Sequence, residues 1–457
     1  MTSDPGHQTV PTAGGTRAST ALLTDHYELT MLRAALASGA AQRRCVFEVF
    51  ARHLPHGRRY GVVAGTGRLL DAVTRFRFGP EQLDFLERAS VVDAPTLRYL
   101  ESYAFQGDIW GYGEGECYFP GSPILVVEGT FAESVMLETL ALSILNHDSA
   151  IAAAASRMVT AAGDRPLIEM GSRRTHEIAA VAAARAAYIA GFASTSNLEA
   201  GREFGIPTSG TSAHAFTLVH GSERDAFRAQ LNALGASTTL LVDTYDVDSA
   251  VRAAVDLAGP GLGAVRVDSG DLPVVARQVR ALLDSLGATK TRIVLTGDLD
   301  EYSIAALAAT DADGYGVGTS LVTGSGAPTA ALVYKLVARA ESDQEPAPLQ
   351  PVAKRSVGKP GRPGRKWAVR QRDASGIAAA EVVTTQPPGP DPGGRLLLRQ
   401  LMRGGQIVGQ ESLAAVRDRH REVVAELPVR ALQLSRGDPA IPTVFVPDGN
   451  EQWQPGR

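Results

Sequence analysis

The sequence predicts an α/β fold: an irregular seven-stranded TIM-like α/β barrel with an N-terminal α+β domain completed by C-terminal segments. Three observations predict it. From Pro166 onward, short apolar runs alternate with amphipathic segments at the spacing of successive βα units. Each run ends in glycine or polar residues, at the rim where a parallel barrel carries its chemistry. Before residue 130 and after residue 341 that period is missing, and short alternating runs stand between Gly and Pro instead. The chain is therefore divided into a leader (1–20), an N-terminal α+β domain (21–130), the barrel (131–340), and a linker with C-terminal strands and a helix (341–457) that pack on the N-terminal domain.

Composition narrows the classes. With 457 residues, 44% hydrophobic and 21% charged, the chain has material for two or three domains and a large core. A net charge of −4 gives no electrostatic case for nucleic acid or an anionic membrane as main partner. Cys45 and Cys117 are the only cysteines, so there is no disulfide framework and a reducing compartment fits. The leader is polar, lacks the apolar core of a signal peptide and is read as disordered. No apolar stretch reaches the roughly 18–20 residues of a membrane span; the longest alanine-rich one is broken by Arg185. A cytoplasmic location is expected.

The elements follow in order. In 22–32, Thr24 is read as a helix cap, Leu29, Leu32 and Leu36 as one apolar face, and Tyr27 as lying near the positive helix end with its ring partly free. Residues 45–51 alternate and form a strand, left through a basic loop at 52–59. Helices are expected at 63–75 and 80–104, then small antiparallel strands in 111–129, notably 124–128. Thr130 and Glu133 make a capping box for a long alanine-rich helical stretch stopped by Gly163 and Pro166. Asn146-His147-Asp148-Ser149 interrupts it with poor helix formers and predicts a bend; His147 and Asp148, as helix neighbours, are not expected to face one another. The seven barrel runs are 167–170, 187–192, 206–208, 239–242, 264–267, 292–295 and 314–317. Beyond a Pro/Glu/Gln linker (341–351) come a basic glycine-rich run (354–366), strands at 366–371 and 395–401 flanking a Pro/Gly loop, a helix at 411–426 and a loose tail from Glu451.

The residues that follow the runs carry the chemistry. They are Gly171-Ser172-Arg173-Arg174, Ser194-Thr195-Ser196-Asn197, Gly210-Thr211-Ser212-Ala213-His214, Asp243-Thr244-Tyr245, Asp268-Ser269-Gly270-Asp271, Thr296-Gly297-Asp298 and Gly316-Val317-Gly318-Thr319-Ser320. Arg266, two residues before Asp268, points to the same side of its strand. Glycines and hydroxyls at helix starts suit phosphate, and several aspartates at one rim suit Mg²⁺ or ribose hydroxyls. Alone, each feature is weak: a single histidine is more often a core residue tied to a carbonyl, and Asp-Ser-Gly-Asp is a common capping turn. Seven such turns in succession ask for a ligand with phosphates, a sugar diol and a metal.

At these residues the chain resembles the nicotinate phosphoribosyltransferases. The match is carried by Thr24-Asp25-His26-Tyr27-Glu28-Leu29-Thr30-Met31, Phe47-Glu48-Val49-Phe50-Ala51-Arg52-His53-Leu54-Pro55 and the rim motifs around Arg173, Ser196, His214, Asp268, Asp298 and Gly318, in family order over roughly residues 20–370. The resemblance implies a type II phosphoribosyltransferase fold and ATP-coupled transfer of phosphoribose from 5-phosphoribosyl 1-pyrophosphate to nicotinate, giving nicotinate mononucleotide in NAD salvage. It implies that ATP, the co-substrate, phosphorylates His214, and that Asp268 and Arg266 are catalytic. Arg266 and Tyr27 would face the pyridine ring and its carboxylate, with Arg173 a second candidate for the carboxylate. Asp268, Gly297, Asp298, Gly316 and Gly318 would hold ribose and phosphates, joined by Thr211, Ser269, Gly270 and Thr319. Asp271 is the Mg²⁺ candidate, and Arg52, Lys354 and Lys359 are candidate phosphate contacts. A homodimer with the active site at the subunit interface is implied, since the family's tyrosine reaches the neighbouring subunit. Ser196 stands about where a nicotinamide-specific relative places an aspartate, which favours a carboxylate over an amide substrate. The alternatives are a nicotinamide phosphoribosyltransferase, a quinolinate-type relative, which has no place for the His214 motif, and a non-catalytic phosphosugar-binding protein.

Overall fold

Two sheets of opposite construction organise the chain. The computed structural model describes residues 18–342, 347–354, 361–389 and 392–446. The first sheet is antiparallel, with seven strands in the order Leu349–Pro351, Leu332–Ala340, Arg44–Ala51, Leu125–Thr130, Asp108–Tyr112, Leu398–Arg403 and Gln406–Ile407. Arg44–Ala51 is central and almost wholly buried, so its β-branched and aromatic side chains pack on both faces. The chain re-enters this sheet at Leu332, and Leu398–Arg403 closes its other side against Asp108–Tyr112. The run at 395–401 therefore serves two sheets. Arg395–Leu396 belongs with Trp367–Arg372, Ala378–Thr384 and Thr443–Phe445 in a separate four-stranded sheet.

The second sheet is parallel and has six strands rather than seven. Their order is Ser194–Thr195, Leu167–Glu169, Gly314–Val317, Arg292–Leu295, Ala264–Val267 and Thr239–Leu241. The expected strand at 187–192 is not one. Ala187 to Ile189 end the helix Glu177–Ile189, because an alanine-rich apolar run suits a buried helix at least as well as a strand. The strand of that unit is the short Ser194–Thr195. The run at 206–208 contributes only a parallel bridge from Thr208 to Thr195. Pro207 has no N–H to donate, and Gly205 enters with φ +68° after the helix Leu198–Phe204, so a ladder does not propagate there.

Helix boundaries show where tertiary contacts override local preference. The capping box forms, with Thr130 and Glu133 bonded reciprocally, but it caps the short Phe131–Val135. The long helix is Glu138–Ala162, and it runs through 146–149 without the expected bend. Its poor helix formers have partners outside the helix. Asn146 Oδ1 accepts the Leu332 N–H at 2.7 Å, and Ser149 Oγ lies 3.2 Å from the Ala64 N–H. His147 and Asp148 do meet: Nδ1 lies 2.8 Å from Oδ1, and Arg68 Nη1 donates to the same buried carboxylate at 2.8 Å. The stretch 80–104 splits into Pro80–Arg88 and Ala94–Glu101 at Ser90, whose φ is +51°. The first helix begins at His26, so Asp25 rather than Thr24 is its N-terminal neighbour; the Thr24 hydroxyl donates to Glu28 instead. Ser19 and Thr20, read as leader, are tied to Arg77 O and Ala72 O. The rest of the leader (1–17), Lys359 and the tail from Glu451 lie outside the described residues. Among the described residues, no helix is long and apolar enough to cross a membrane.

Candidate active site

The C-terminal ends of adjacent parallel strands bring one constellation together. Ala264–Val267 delivers Arg266, which is buried and held three ways. Its Nε–H donates to Thr296 Oγ1 at 3.0 Å, Nη1 donates to Thr211 Oγ1 at 3.0 Å and to Ser212 O at 3.1 Å, and Nη2 lies 3.3 Å from Asp268 Oδ2. Thr296 passes the contact on by donating its own proton to Asp268 Oδ1. Burial opposes ionisation of Asp268, yet the Thr296 hydroxyl and the Arg266 guanidinium outweigh it, and the carboxyl is held below its usual range.

His214 begins the short helix His214–Leu218, and its side chain is 40% exposed. Nδ1 lies 3.1 Å from Thr244 Oγ1, while Nε2 faces Asp243 Oδ1 at 3.9 Å and Asp268 Oδ2 at 4.0 Å. Asp243 is the residue that binds the two acidic turns together: its Oδ2 accepts from the Asp268 N–H at 2.8 Å and from Ser269 Oγ at 2.7 Å. Its other oxygen, Oδ1, is buried without a hydrogen-bond partner, and so is Glu223 Oε1. Burial, with the charges of Asp243 and Asp246, pushes the Glu223 carboxyl up to about 7.

The turns around this cluster are built for close approach. Gly297 has φ +111°, and a Cβ there would stand 2.5 Å from Asp268 O. A Cβ on Gly316 would stand 2.6 Å from Thr296 Cγ2 and 2.7 Å from Met170 Sδ. Asp298, exposed beside Gly297, adopts φ +43°. Gly318 opens the helix Thr319–Val322. Asp271 caps Leu272–Ser285, with Oδ1 3.4 Å from the Val274 N–H, and Gly270 precedes it at φ +86°.

The other candidates stand on further elements, the Arg173 turn beside Gly318, whose carbonyl would lie 3.2 Å from a Cβ on Gly171. Arg173 and Ser196 are exposed on neighbouring turns, linked through Asn197 Nδ2, which donates to Ser172 Oγ at 3.0 Å. Tyr27, Arg52 and Lys354 belong to the antiparallel half. Tyr27 stands beside Glu138 and Thr139, and burial with the Glu138 charge pushes its hydroxyl up to about 12. Arg52 is exposed just past Arg44–Ala51, and Lys354 is exposed past Leu349–Pro351. A cavity of about 940 Å³ lies elsewhere, lined by Arg68, Glu114, His147, Arg185 and Phe204. Sequence reading placed Asp243, Thr244 and Thr296 among the rim turns without an individual role, and did not single out Glu223 or Glu169. Asp243 carried a usable signal, since it follows its strand as Asp268 follows the next.

A parallel-sheet rim that gathers an imidazole, two carboxylates and a buried arginine among glycine-lined turns defines an enzyme of group transfer on phosphorylated substrates. The comparisons narrow that class. The family model described as the nicotinate phosphoribosyltransferase N-terminal domain matches residues 22–146. The nicotinate phosphoribosyltransferase pncB1 of Mycobacterium tuberculosis is 59% identical over 436 residues, covering 93% of this chain and 95% of the relative. That of Bacillus subtilis is 35% identical over 329 residues, covering 70% and 67%. The crystal structure of human nicotinic acid phosphoribosyltransferase superposes with a TM-score of 0.78 at 26% identity, covering 93% of this chain and 97% of that one. The chain belongs to the nicotinate phosphoribosyltransferase family.

Proposed function

We propose that the enzyme couples ATP to the transfer of phosphoribose from 5-phosphoribosyl 1-pyrophosphate to nicotinate through a phosphohistidine at His214. The observation that carries the reading is the setting of the His214 ring, with Nδ1 beside Thr244 Oγ1 and Nε2 turned toward Asp243 and Asp268. Holding Nδ1 orients the ring and leaves Nε2 as the nucleophile. Nε2 attacks the γ-phosphorus of ATP, the bond to the ADP oxygen breaks, and the two carboxylates balance the charge of the imidazolium. Water later cleaves the N–P bond and releases phosphate. For transfer, the nicotinate nitrogen displaces pyrophosphate at C1 of the ribose. Asp268 and the turns at Gly297, Asp298, Gly316, Gly318 and Thr319 hold ribose and phosphates, with Thr211, Ser269 and Gly270 beside them. Arg266, Arg173 and Ser196 face the substrate's ring side.

Mg²⁺ fits the donor set. Asp243 Oδ1, on a side chain only 2% exposed, has no hydrogen-bond partner, and it faces the same space as Asp268 Oδ2. Asp243 and Asp268 would hold the ion; Asp271, the candidate from the sequence, caps the helix Leu272–Ser285 instead. When bound, it offsets charge on the pyrophosphate oxygens. Among the described residues no group of three or more His, Cys, Asp or Glu is placed to hold a metal ion.

A second copy supplies Tyr27 and Arg52 in this reading. Ile178, Leu198, Tyr245 and Val274, at rim-side helix starts and turns, and Leu218 and Val219, at the end of the helix His214–Leu218, are exposed large apolar residues that a second subunit would cover. The deciding experiment is His214→Ala. It should abolish nicotinate-dependent ATP turnover and the acid-labile phosphate found by mass spectrometry on the wild-type peptide. Undiminished coupled ATP turnover in the variant would discard the phosphohistidine.

A further inference from the structure

We propose that Glu169 is a positioning residue of the nicotinate pocket, its buried carboxylate locking the turn that carries Arg173 to the turn that carries Ser196. The inference rests on the reading of Arg173 and Ser196 as groups that face nicotinate. Glu169 ends the strand Leu167–Glu169 and has no exposed surface. One oxygen, Oε1, accepts the Gly171 N–H at 2.5 Å, and the other, Oε2, accepts from Thr195 Oγ1 at 2.5 Å. Its backbone carbonyl accepts the Ser196 N–H at 2.8 Å. One residue therefore grips both turns with three bonds.

The grip is closed from the other side. Thr195 Oγ1 also accepts the Asn197 N–H at 2.9 Å, and Asn197 Nδ2 donates to Ser172 Oγ at 3.0 Å. Gly171 has no room for a side chain, since a Cβ would stand 2.2 Å from Val322 Cγ1 and 3.0 Å from Glu169 Oε1. The turn leading to Arg173 is thus pressed between the carboxylate and the helix Thr319–Val322.

Both side-chain bonds of Glu169 come from neutral donors, an amide and a hydroxyl. A buried carboxylate held only by neutral groups is costly, and burial raises its pKa against those two bonds. An apolar side chain would fill the same volume without that cost. What the carboxylate adds is direction: it fixes where the Gly171 N–H and the Thr195 hydroxyl point, and so where the guanidinium two residues beyond Gly171 begins. Errors of this size in a recognition group are felt at the substrate.

The test compares Glu169→Leu, Thr195→Val, Glu169→Gln and Arg173→Ala by steady-state kinetics and thermal melting. Glu169→Leu and Thr195→Val should raise KM for nicotinate about tenfold, leaving KM for 5-phosphoribosyl 1-pyrophosphate within about twofold. Glu169→Gln should restore most of the loss, because its amide oxygen accepts the Gly171 N–H and its NH₂ donates to Thr195. An unchanged nicotinate KM in Leu and Val variants, with Arg173→Ala raising it, overturns the role of Glu169 while the reading of Arg173 stands. An unchanged KM in Arg173→Ala removes that reading and the inference with it. Equal rises in both KM values with a lowered melting temperature mark a merely structural role and also overturn it. If Glu169→Leu does not fold, Thr195→Val, which removes only a hydroxyl, decides the matter.

Discussion

At Thr296 one hydroxyl does two jobs that no other group in the cluster duplicates. It accepts from Arg266 Nε–H and donates to Asp268, so it links the cation and the anion through a neutral atom. Thr296→Val preserves shape while leaving a buried Arg266 N–H and an Asp268 oxygen unpaired, a loss of about 1–3 kcal/mol per unmade bond. The expected outcome is a folded protein whose kcat/KM falls at least about tenfold, and whose Asp268 titrates closer to an ordinary carboxylate. Steady-state kinetics and a pH–rate profile check both. Motif reading reached Thr296 as part of Thr296-Gly297-Asp298 but gave the work to its neighbours. Its function depends on which atom lies 3.0 Å away on the adjacent strand, and that is a property of register rather than of the run itself. Arg266 and Asp268 were legible because they lie in and just after the recognisable run 264–267, and His214 because it follows a Gly, Ser and Thr-rich turn. Glu169 looks from the sequence like an ordinary strand-end acid, and only burial with neutral donors alone sets it apart.

The helix His26–Ser38 shows how one element carries a titration. Glu28, in its first turn, is fully buried against Thr139, whose N–H and hydroxyl donate to Oε1 at 2.8 and 2.7 Å. Burial, helped by the charge of Glu138 and opposed by the Thr139 bonds, pushes the Glu28 carboxyl up to about 7. The folded state then holds a proton that the unfolded chain releases near its ordinary 4.5, so the folded state binds more protons between those values. Stability from this group therefore falls as pH rises through about 4.5 to 7, by an amount on the order of 3 kcal/mol. Glu28→Gln should remove that slope and raise the melting temperature at pH 8, and urea titrations at pH 5, 6, 7 and 8 measure it. Glu223 titrates in the same window and is unchanged in that variant, so the difference between the two curves isolates Glu28. Apolar strands carrying β-branched or aromatic residues were read correctly from the sequence, among them 45–51, 264–267, 292–295 and 314–317. The failures at 187–192 and 146–149 have separate causes. Apolar alanine runs do not distinguish helix from strand, and poor helix formers stay helical when Leu332, Ala64 and Arg68 satisfy their side chains.

At the scale of the whole molecule, the proposed site draws on two halves of the chain. The residues proposed for the pyridine ring lie in two halves: Arg266, Arg173 and Ser196 on the parallel sheet, Tyr27 on the helix that packs beside Glu138 and Thr139. Tyr27 is 45% exposed, and the groups acting on it (Glu138, Glu28, Asp25 and Thr139) include none of the rim residues. Ile178, Leu198 and Tyr245 at the rim are exposed large apolar residues, which the proposed second subunit would cover. A homodimer in which each Tyr27 completes the opposite rim reconciles these facts, and it makes a prediction that a self-sufficient chain does not. Tyr27→Ala and His214→Ala should each be inactive as pure preparations, with secondary structure unchanged. Denatured together and refolded at equal amounts, half the dimers are mixed, and each mixed dimer holds one site with both lesions and one with neither. Activity should therefore return to about a quarter of the wild-type value, the share of sites left intact by random pairing. A self-sufficient chain gives no recovery at any ratio, because every site then carries one lesion. The ratio dependence adds a second check: recovery should peak at equal amounts and fall symmetrically on either side, which contamination by wild-type protein would not reproduce.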